Sequence, residues 1–253
     1  MTRRLLGPGL LALVLLGAWE AYARLGGVDE FLLPAPTQIA EALWVDRALL
    51  WDDFVVTAGE VLLGIGVALV AGIGAAVALH FSPLVRRTAY PLLVASQTIP
   101  IVIVAPLLVV WLGYDLAPKL AIIGLICFFP VTVTALDGLR SVDPELRKLM
   151  RTLDASRWQA FRRVEAPAAL PSLLSGAKIA VAVAVIGAVL AEQAGSSRGL
   201  GHLILQAIPQ FETARAYAAV VVLSAFALSL FGALALAERR LVPWANRNQG
   251  DNA

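Results

Sequence analysis

Long runs without a charged side chain, separated by short clusters of Arg, Asp and Glu, dominate the chain. A helix crossing the hydrocarbon core of a bilayer needs about 20 mostly apolar residues at about 1.5 Å rise each. Residues 61–79 and 88–114 carry no charge, although Pro91, Pro100 and Pro106 interrupt the second run. Residues 120–136 are uncharged and extend to Lys119 and Asp137, whose heads would reach the two interfaces. Residues 166–191 hold one charge, Lys178, and residues 216–237 hold none. A sixth run covers 5–23, with Glu20 near its outer end. The pattern predicts an all-α membrane protein, a polytopic bundle of about six transmembrane helices. The expected spans are 5–24, 55–80, 88–113, 117–139, 167–191 and 214–238, within a single transmembrane domain over 1–253. Arg3, Arg4, the first apolar run and Ala21-Tyr22-Ala23 also have the form of a secretory signal with its cleavage site. The loop-like residues that follow favour an uncleaved first helix.

Within these spans, small residues recur every fourth position, which lets helix backbones approach in lipid. Gly64, Ala68, Gly72 and Ala76 form one such face. Gly176, Ala180, Ala184 and Ala188 form another that leads to Glu192, and Ala225, Ser229, Ala233 and Ala237 a third. Polar groups inside apolar surroundings cost free energy unless paired or facing water. Ser96, Gln97 and Thr98 before Pro100, and Thr132 and Thr134 after Pro130, are therefore candidates for the lining of a pathway. Helix–helix hydrogen bonding and back-bonding to i−4 carbonyls is the equal alternative. Glu192 and Gln193 suit an outer gate or ordinary interfacial placement. Trp19, Trp51, Trp111 and Trp244 lie near span ends and read as interface anchors.

Composition agrees with burial in lipid: 59% of residues are hydrophobic, 15% are charged, and the mean hydropathy is +0.80. A net charge of +2 without an aromatic-interleaved basic patch excludes a nucleic-acid binder. The single cysteine, Cys127, excludes an intrachain disulfide and reads as a buried packing thiol. Basic residues gather in alternate connections. With the N-terminus inside, the inner pieces hold Arg3, Arg4, Arg86, Arg87, seven residues between 137 and 165, Arg239, Arg240 and Arg247. The outer pieces hold Arg24, Arg47, Lys119, Arg198 and Arg215, and Lys178 can snorkel from the inner end of its helix. The positive-inside rule then places both termini in the cytoplasm. Residues 24–53, outside, carry two basic and six acidic side chains and read as a solvated loop.

The cytoplasmic segment 140–166 is charged and longer than a bundle turn needs. Leu146, Leu149, Met150 and Leu153 share one helical face, and Ala160, Phe161 and Val164 return to it. Asp154 offers an N-cap for a second short helix. The expectation is two amphipathic helices bent at Asp154, with Arg147, Lys148, Arg151 and Arg157 turned outward. Anionic lipid and a soluble partner are equally good explanations of that surface.

The run L-D-A-S-R-W-Q-A-F-R-R-V-E-A-P-A-A-L-P at 153–171 resembles the coupling loop of binding-protein-dependent ABC importer permeases. The match includes Ala155, Ser156, Trp158, Phe161, Pro167 and Pro171. Further similarity lies in L-P-A-P-T-Q-I at 33–39, Q-T-I-P at 97–100, F-F-P-V-T-V at 128–133 and G-S-S-R-G-L-G-H-L-I at 195–204. These look like the branch that imports nitrate, taurine, sulfonates and vitamin-pyrimidine precursors. By register the family's E-A-A falls on Lys148-Leu149-Met150 and its glycine on Asp154, so the chemistry of that Glu does not carry over. The resemblance implies a type I importer permease in a prokaryotic cell membrane, working as a homodimer. It implies cytoplasmic ATPase subunits docked on Leu149, Met150, Leu153, Asp154, Ala155, Ser156, Trp158, Phe161 and Pro167, and an extracytoplasmic binding protein. The stretches 149–158 and 186–204 are most similar to permeases for hydroxymethylpyrimidine, thiamine precursors or riboflavin, with sulfonate, taurine or nitrate as the alternative.

The chain has no phosphate-binding loop, so ATP and Mg are expected on the partner ATPase, with no cofactor, metal or catalytic residue here. His80 and His202 fall at opposite sides of the membrane by this topology and cannot share a site. No ionisable group lies at a span centre, which argues against a stand-alone proton-coupled transporter.

Overall fold

The computed structural model describes residues 2–243, with the side chains of 2–6 and 8 left out. Arg3, Arg4, Trp244 and Arg247 therefore lie outside the described side chains. The described chain is helical throughout: α1 (Thr2–Leu25), α2 (Pro36–Val45), α3 (Arg47–Phe81), α4 (Pro83–Ser96), α5 (Ile101–Leu112), α6 (Leu116–Arg140), α7 (Pro144–Thr152), α8 (Arg157–Ala160), a π-helical turn (Phe161–Glu165), α9 (Ala166–Gly195), α10 (Leu200–Ala207) and α11 (Thr213–Leu241). Among the described residues, four helices are long and apolar enough to span a bilayer: α3, α6, the continuous Arg157–Gly195 rod and α11. The pair α4 and α5 makes a fifth span if counted as one, bent by 100° at its break. The N-terminal stretch is helical, but part of it falls outside the described side chains, and it is not among these spans. Pro100 at the start of α5 explains the bend, since a proline restricts the residue before it and removes a donor.

The chain divides into two compact units. The first takes residues up to Thr57 together with 196–225. Here the acidic segment expected as a solvated loop is ordered structure. Glu20 accepts hydrogen bonds from the Thr37 amide (3.1 Å) and hydroxyl (2.8 Å). Asp53 accepts the Gly199 amide, and the Thr57 hydroxyl accepts the Leu200 amide, both at 2.9 Å. These two bonds satisfy the first N–H groups at the start of α10. Gly199 has φ +115, a conformation L side chains avoid. Asp46 pairs with Arg215 at 2.8 Å, and Glu212 pairs with the same guanidinium. Trp19 packs on Tyr217, with ring centroids 6.1 Å apart.

The second unit takes Ala58–Gly195 and the chain from Phe226 onward. Its core is built by Val61, Ile65 and Ala68 of α3, Ile123, Cys127 and Val131 of α6, and Ala180, Val181, Ala184 and Ala188 of α9. Two of the small-residue stripes are the contact faces. A Cβ at Gly64 would lie 2.5 Å from Ile123 Cγ2, and one at Gly176 would lie 1.8 Å from Thr134 Oγ1. The third stripe differs: Ala225, Ser229 and Ala233 are exposed. Cys127 is fully buried, its thiol 3.3 Å from the Ala180 carbonyl.

Two lysines are placed otherwise than the pattern suggests. Lys119 does not reach outward; its ammonium, 2.6 Å from Glu60, is buried with that carboxylate. Lys178 pairs with Glu238 at 2.7 Å instead of extending freely. A salt bridge removes the cost of a lone charge in an apolar setting, which is why both lysines turn toward carboxylates.

Candidate functional site

The segment after α6 is assembled from strong local signals. The Asp143 carboxylate accepts the Glu145 amide at 2.8 Å, Pro144 occupies the first turn of α7, and Arg151 lies in its last turn. Each choice suits the helix end it occupies. At the far end the amide of Asp154 bonds to the Arg151 carbonyl (3.1 Å) and that of Ala155 to the Met150 carbonyl (3.0 Å). This pair of bonds is a Schellman motif, which needs a left-handed residue at its turn. Asp154 supplies it with φ +51, at the place where the family pattern has glycine.

Asp154 therefore ends α7 and does not cap α8. The N-cap of α8 is Ser156, whose hydroxyl accepts the Gln159 amide at 3.2 Å while its own amide donates to Gln159 Oε1 at 2.8 Å. That reciprocal capping box is spelled S-x-x-Q in the sequence. Its signal is local and complete at 156–159.

Leu149 and Leu153 are 53% and 68% exposed, and Trp158 is 58% exposed, as part of a surface on which Ser156 and Asp154 also lie open. Met150, Ala155, Phe161 and Pro167 are half-buried. Trp158 stacks on Phe161 with centroids 5.3 Å apart, and Phe161 lies 5.2 Å from Phe81 at the end of α3. Lys148, Arg151 and Arg157 are exposed, as expected. Arg147 is not: its guanidinium turns inward, donating to the Leu139 carbonyl at 2.7 Å and lying 2.9 Å from Glu165 Oε1. That second approach is an ion pair without the alignment of a hydrogen bond. The other oxygen of Glu165 accepts from His80 Nε2 at 2.7 Å. His80, Arg147 and Glu165 carry no sign of their meeting in local spacing. His80 and Glu165 sit at the edges of apolar runs and Arg147 within the charged α7, positions where a charged side chain can turn either way.

The candidates for the pathway and its outer gate, Ser96, Gln97, Thr98, Thr132, Thr134 and Glu192, do not converge. Ser96 and Gln97, at the break between α4 and α5, line a cavity of about 470 Å³ with Ile99, Val104, Leu125 and Ile186. Thr98, exposed beside them, is not in its lining and donates to the Ala95 carbonyl at 2.8 Å. Thr132 donates to the Phe128 carbonyl and Thr134 to the Pro130 carbonyl, each at 2.7 Å, the back-bonding arrangement within one helix. Glu192 is fully buried in α9, and Gln193 is exposed.

Residues 68–243 match the family of binding-protein-dependent transport system inner membrane components. The formylaminopyrimidine transport permease protein ThiX of Halalkalibacterium halodurans is 37% identical over 243 residues, 96% of this chain and 97% of its own length. The riboflavin transport system permease protein RibX of Chloroflexus aurantiacus is 35% identical over 241 residues, 94% of this chain and 90% of its own. Among solved structures, an inward-facing form of the MetNI methionine ABC transporter shares the fold, with TM-score 0.66 and 18% identity over 79% of this chain and 97% of that one. The chain belongs to the binding-protein-dependent transport system inner membrane components, and it is a membrane-embedded permease of the ABC importers.

Proposed function

We propose that this permease carries a small neutral heterocycle, a pyrimidine or thiamine precursor or riboflavin, into the cytoplasm, driven by separate ATPase subunits docked on α7 and α8. The observation that carries the docking assignment is the exposed apolar surface of Leu146, Leu149, Leu153 and Trp158 on a segment otherwise rich in charge. Water penalises such a surface at roughly 25 cal/mol per Å², so it calls for a cover. An ATPase groove supplies that cover, while Lys148, Arg151 and Arg157 meet acidic groups at its rim.

Two copies of the chain enclose the pathway in this reading, since Ser96, Gln97 and Thr98 lie on an exposed face of a single copy. Both termini lie in the cytoplasm, an extracytoplasmic binding protein delivers the cargo, and ATP and Mg bind the partner only. The cavity beside Gln97 supports an uncharged cargo. Among its described lining residues none is ionisable, and a Gln amide and a Ser hydroxyl can pair with ring nitrogens and carbonyls.

The test is ATP turnover of the co-purified complex in lipid vesicles, with the matching binding protein and one candidate at a time. Stimulation by hydroxymethylpyrimidine or riboflavin supports the assignment. Stimulation by taurine or another sulfonate alone would replace the cargo. A chain that purifies without an ATPase and still moves solute would be a stand-alone transporter.

A further inference from the structure

Glu165 joins two parts of the second unit that are far apart in sequence. One carboxylate oxygen holds His80 at the last turn of α3, and the other faces Arg147 in the middle of α7. Arg147 is tied in turn to the Leu139 carbonyl at the end of α6. The carboxylate is buried, with 10% of its side chain accessible, and His80 is scarcely more open at 14%. In such a setting the hydrogen bond to His80 is stronger than one at a wet surface, and the ion pair with Arg147 is less screened.

The backbone around Glu165 is also unusual. Residues Phe161–Glu165 form a π-helical turn inside the continuous rod Arg157–Gly195. Such turns are rare and cluster at functional positions, because they shift the phase of one helical face against the next. Arg162 and Arg163 remain exposed here, while Glu165 is turned to the interior. A ring cluster lies beside the ionic contact: His80 packs 5.5 Å from Phe81 and 6.2 Å from Phe161.

We infer that Glu165 is a positioning residue for energy coupling: by clamping Arg147 of α7 to His80 of α3, it makes the docking segment and α3, which packs on α6 and α9, move as one. This inference rests on the docking assignment proposed for α7 and α8. Without the clamp, the rings of Trp158, Phe161 and Phe81 would still associate, but rings slide where a carboxylate held between a hydrogen bond to His80 and an ion pair with Arg147 does not. A displacement of α7 would then be absorbed at this joint before it reached α3.

The experiment uses a reporter that needs no knowledge of the cargo. Ser96→Cys is introduced at the exposed break of the bent span, with Cys127, fully buried, left in place and the parent chain as the blank. In the complex with its co-purified ATPase, labelling of the introduced thiol by N-ethylmaleimide is timed without nucleotide and after trapping with ATP and vanadate. A change of about tenfold in rate is expected on trapping, the size of a typical coupling between two sites. Glu165→Gln and His80→Phe, which keeps a ring but no donor, should each reduce that change to less than about twofold while trapped nucleotide is retained. The double variant should do no more than either alone, because one joint is broken once. His80→Gln, which retains an N–H donor, should restore most of the response.

A full nucleotide response in Glu165→Gln and His80→Phe would overturn the inference. So would loss of the ATPase from those variants, which would assign the trio to holding the docking surface in shape. If the Ser96→Cys reporter failed to respond with Glu165 and His80 intact, the docking and pathway reading beneath the inference would fall instead.

Discussion

Replacing Asp154 tests whether the left-handed turn after α7 is what presents the docking surface. The residue has φ +51 and an exposed side chain, so the backbone conformation is the main thing a substitution there changes. For an L-residue that conformation costs about 1–2 kcal/mol, less for Asp and Asn, and a β-branched residue there is a true outlier. Asp154→Val should strain the turn by about 1–3 kcal/mol. Asp154→Gly removes the Cβ but adds roughly 0.5–1 kcal/mol of chain entropy to be lost, so the two effects nearly cancel. Since about 1.4 kcal/mol is a factor of ten, the Val variant should open the turn on the order of 5- to 150-fold more often. Asp154→Gly should stay within about threefold of the parent. Hydrogen exchange in lipid nanodiscs reads this directly, because the amides of Asp154 and Ala155 are the two that bond to Arg151 and Met150. Asp154→Asn controls for the charge and should behave as the parent. A Val variant as well protected as the parent, or a Gly variant exchanging as fast as Val, would refute the argument.

Three further outcomes follow from the packing and topology. Lys119→Met should lower stability in detergent by about 3–5 kcal/mol, because it leaves Glu60 buried without its cation, while Lys119→Met with Glu60→Leu should recover most of that loss. Thermal unfolding followed by size-exclusion recovery checks both, and an unaffected single variant would mean that water reaches the pair. Gly176→Ala should cost about 1–3 kcal/mol, because its Cβ would fall 1.8 Å from Thr134 Oγ1, and Thr134→Ala should restore the loss in the same assay. Lys148→Cys, at a position where the side chain is 74% accessible, should react with a membrane-impermeant maleimide in inside-out vesicles lacking the ATPase and not in right-side-out ones. The reverse pattern would invert the topology.

The helical body was legible because lipid imposes one constraint on every span, a length of uncharged residues, and that constraint is local. The expected runs at 117–139, 167–191 and 214–238 fall within α6, α9 and α11 to within a few residues at each end. The stripes of Gly64 to Ala76 and Gly176 to Ala188 were legible for the same reason, since close approach is a property of one helical face. The face of Ala225, Ser229 and Ala233 has the same spelling and remains exposed. Spacing alone says only that a face can pack, not that it has been packed.

The polar joints were hidden for a different reason. Asp53 reads as one acid in a run of acids, yet it holds the amide of Gly199, 146 residues later in the chain, at the N-cap of α10. Glu60 reads as the polar rim of an apolar run, and Lys119 as another; nothing in either run states that the two rims meet. Glu165 is the extreme case, since V-E-A-P looks like the dry start of a span and its partners are 85 residues away in α3 and 18 in α7. An apolar run fixes its own depth, but a charge at its edge is neutral between water and a partner until another helix arrives. The residues most worth testing in a permease of this kind are therefore the ionisable groups at the ends of its spans. At those positions one carboxylate, turned inward, can tie a docking surface to a transmembrane helix without disturbing the pattern of either.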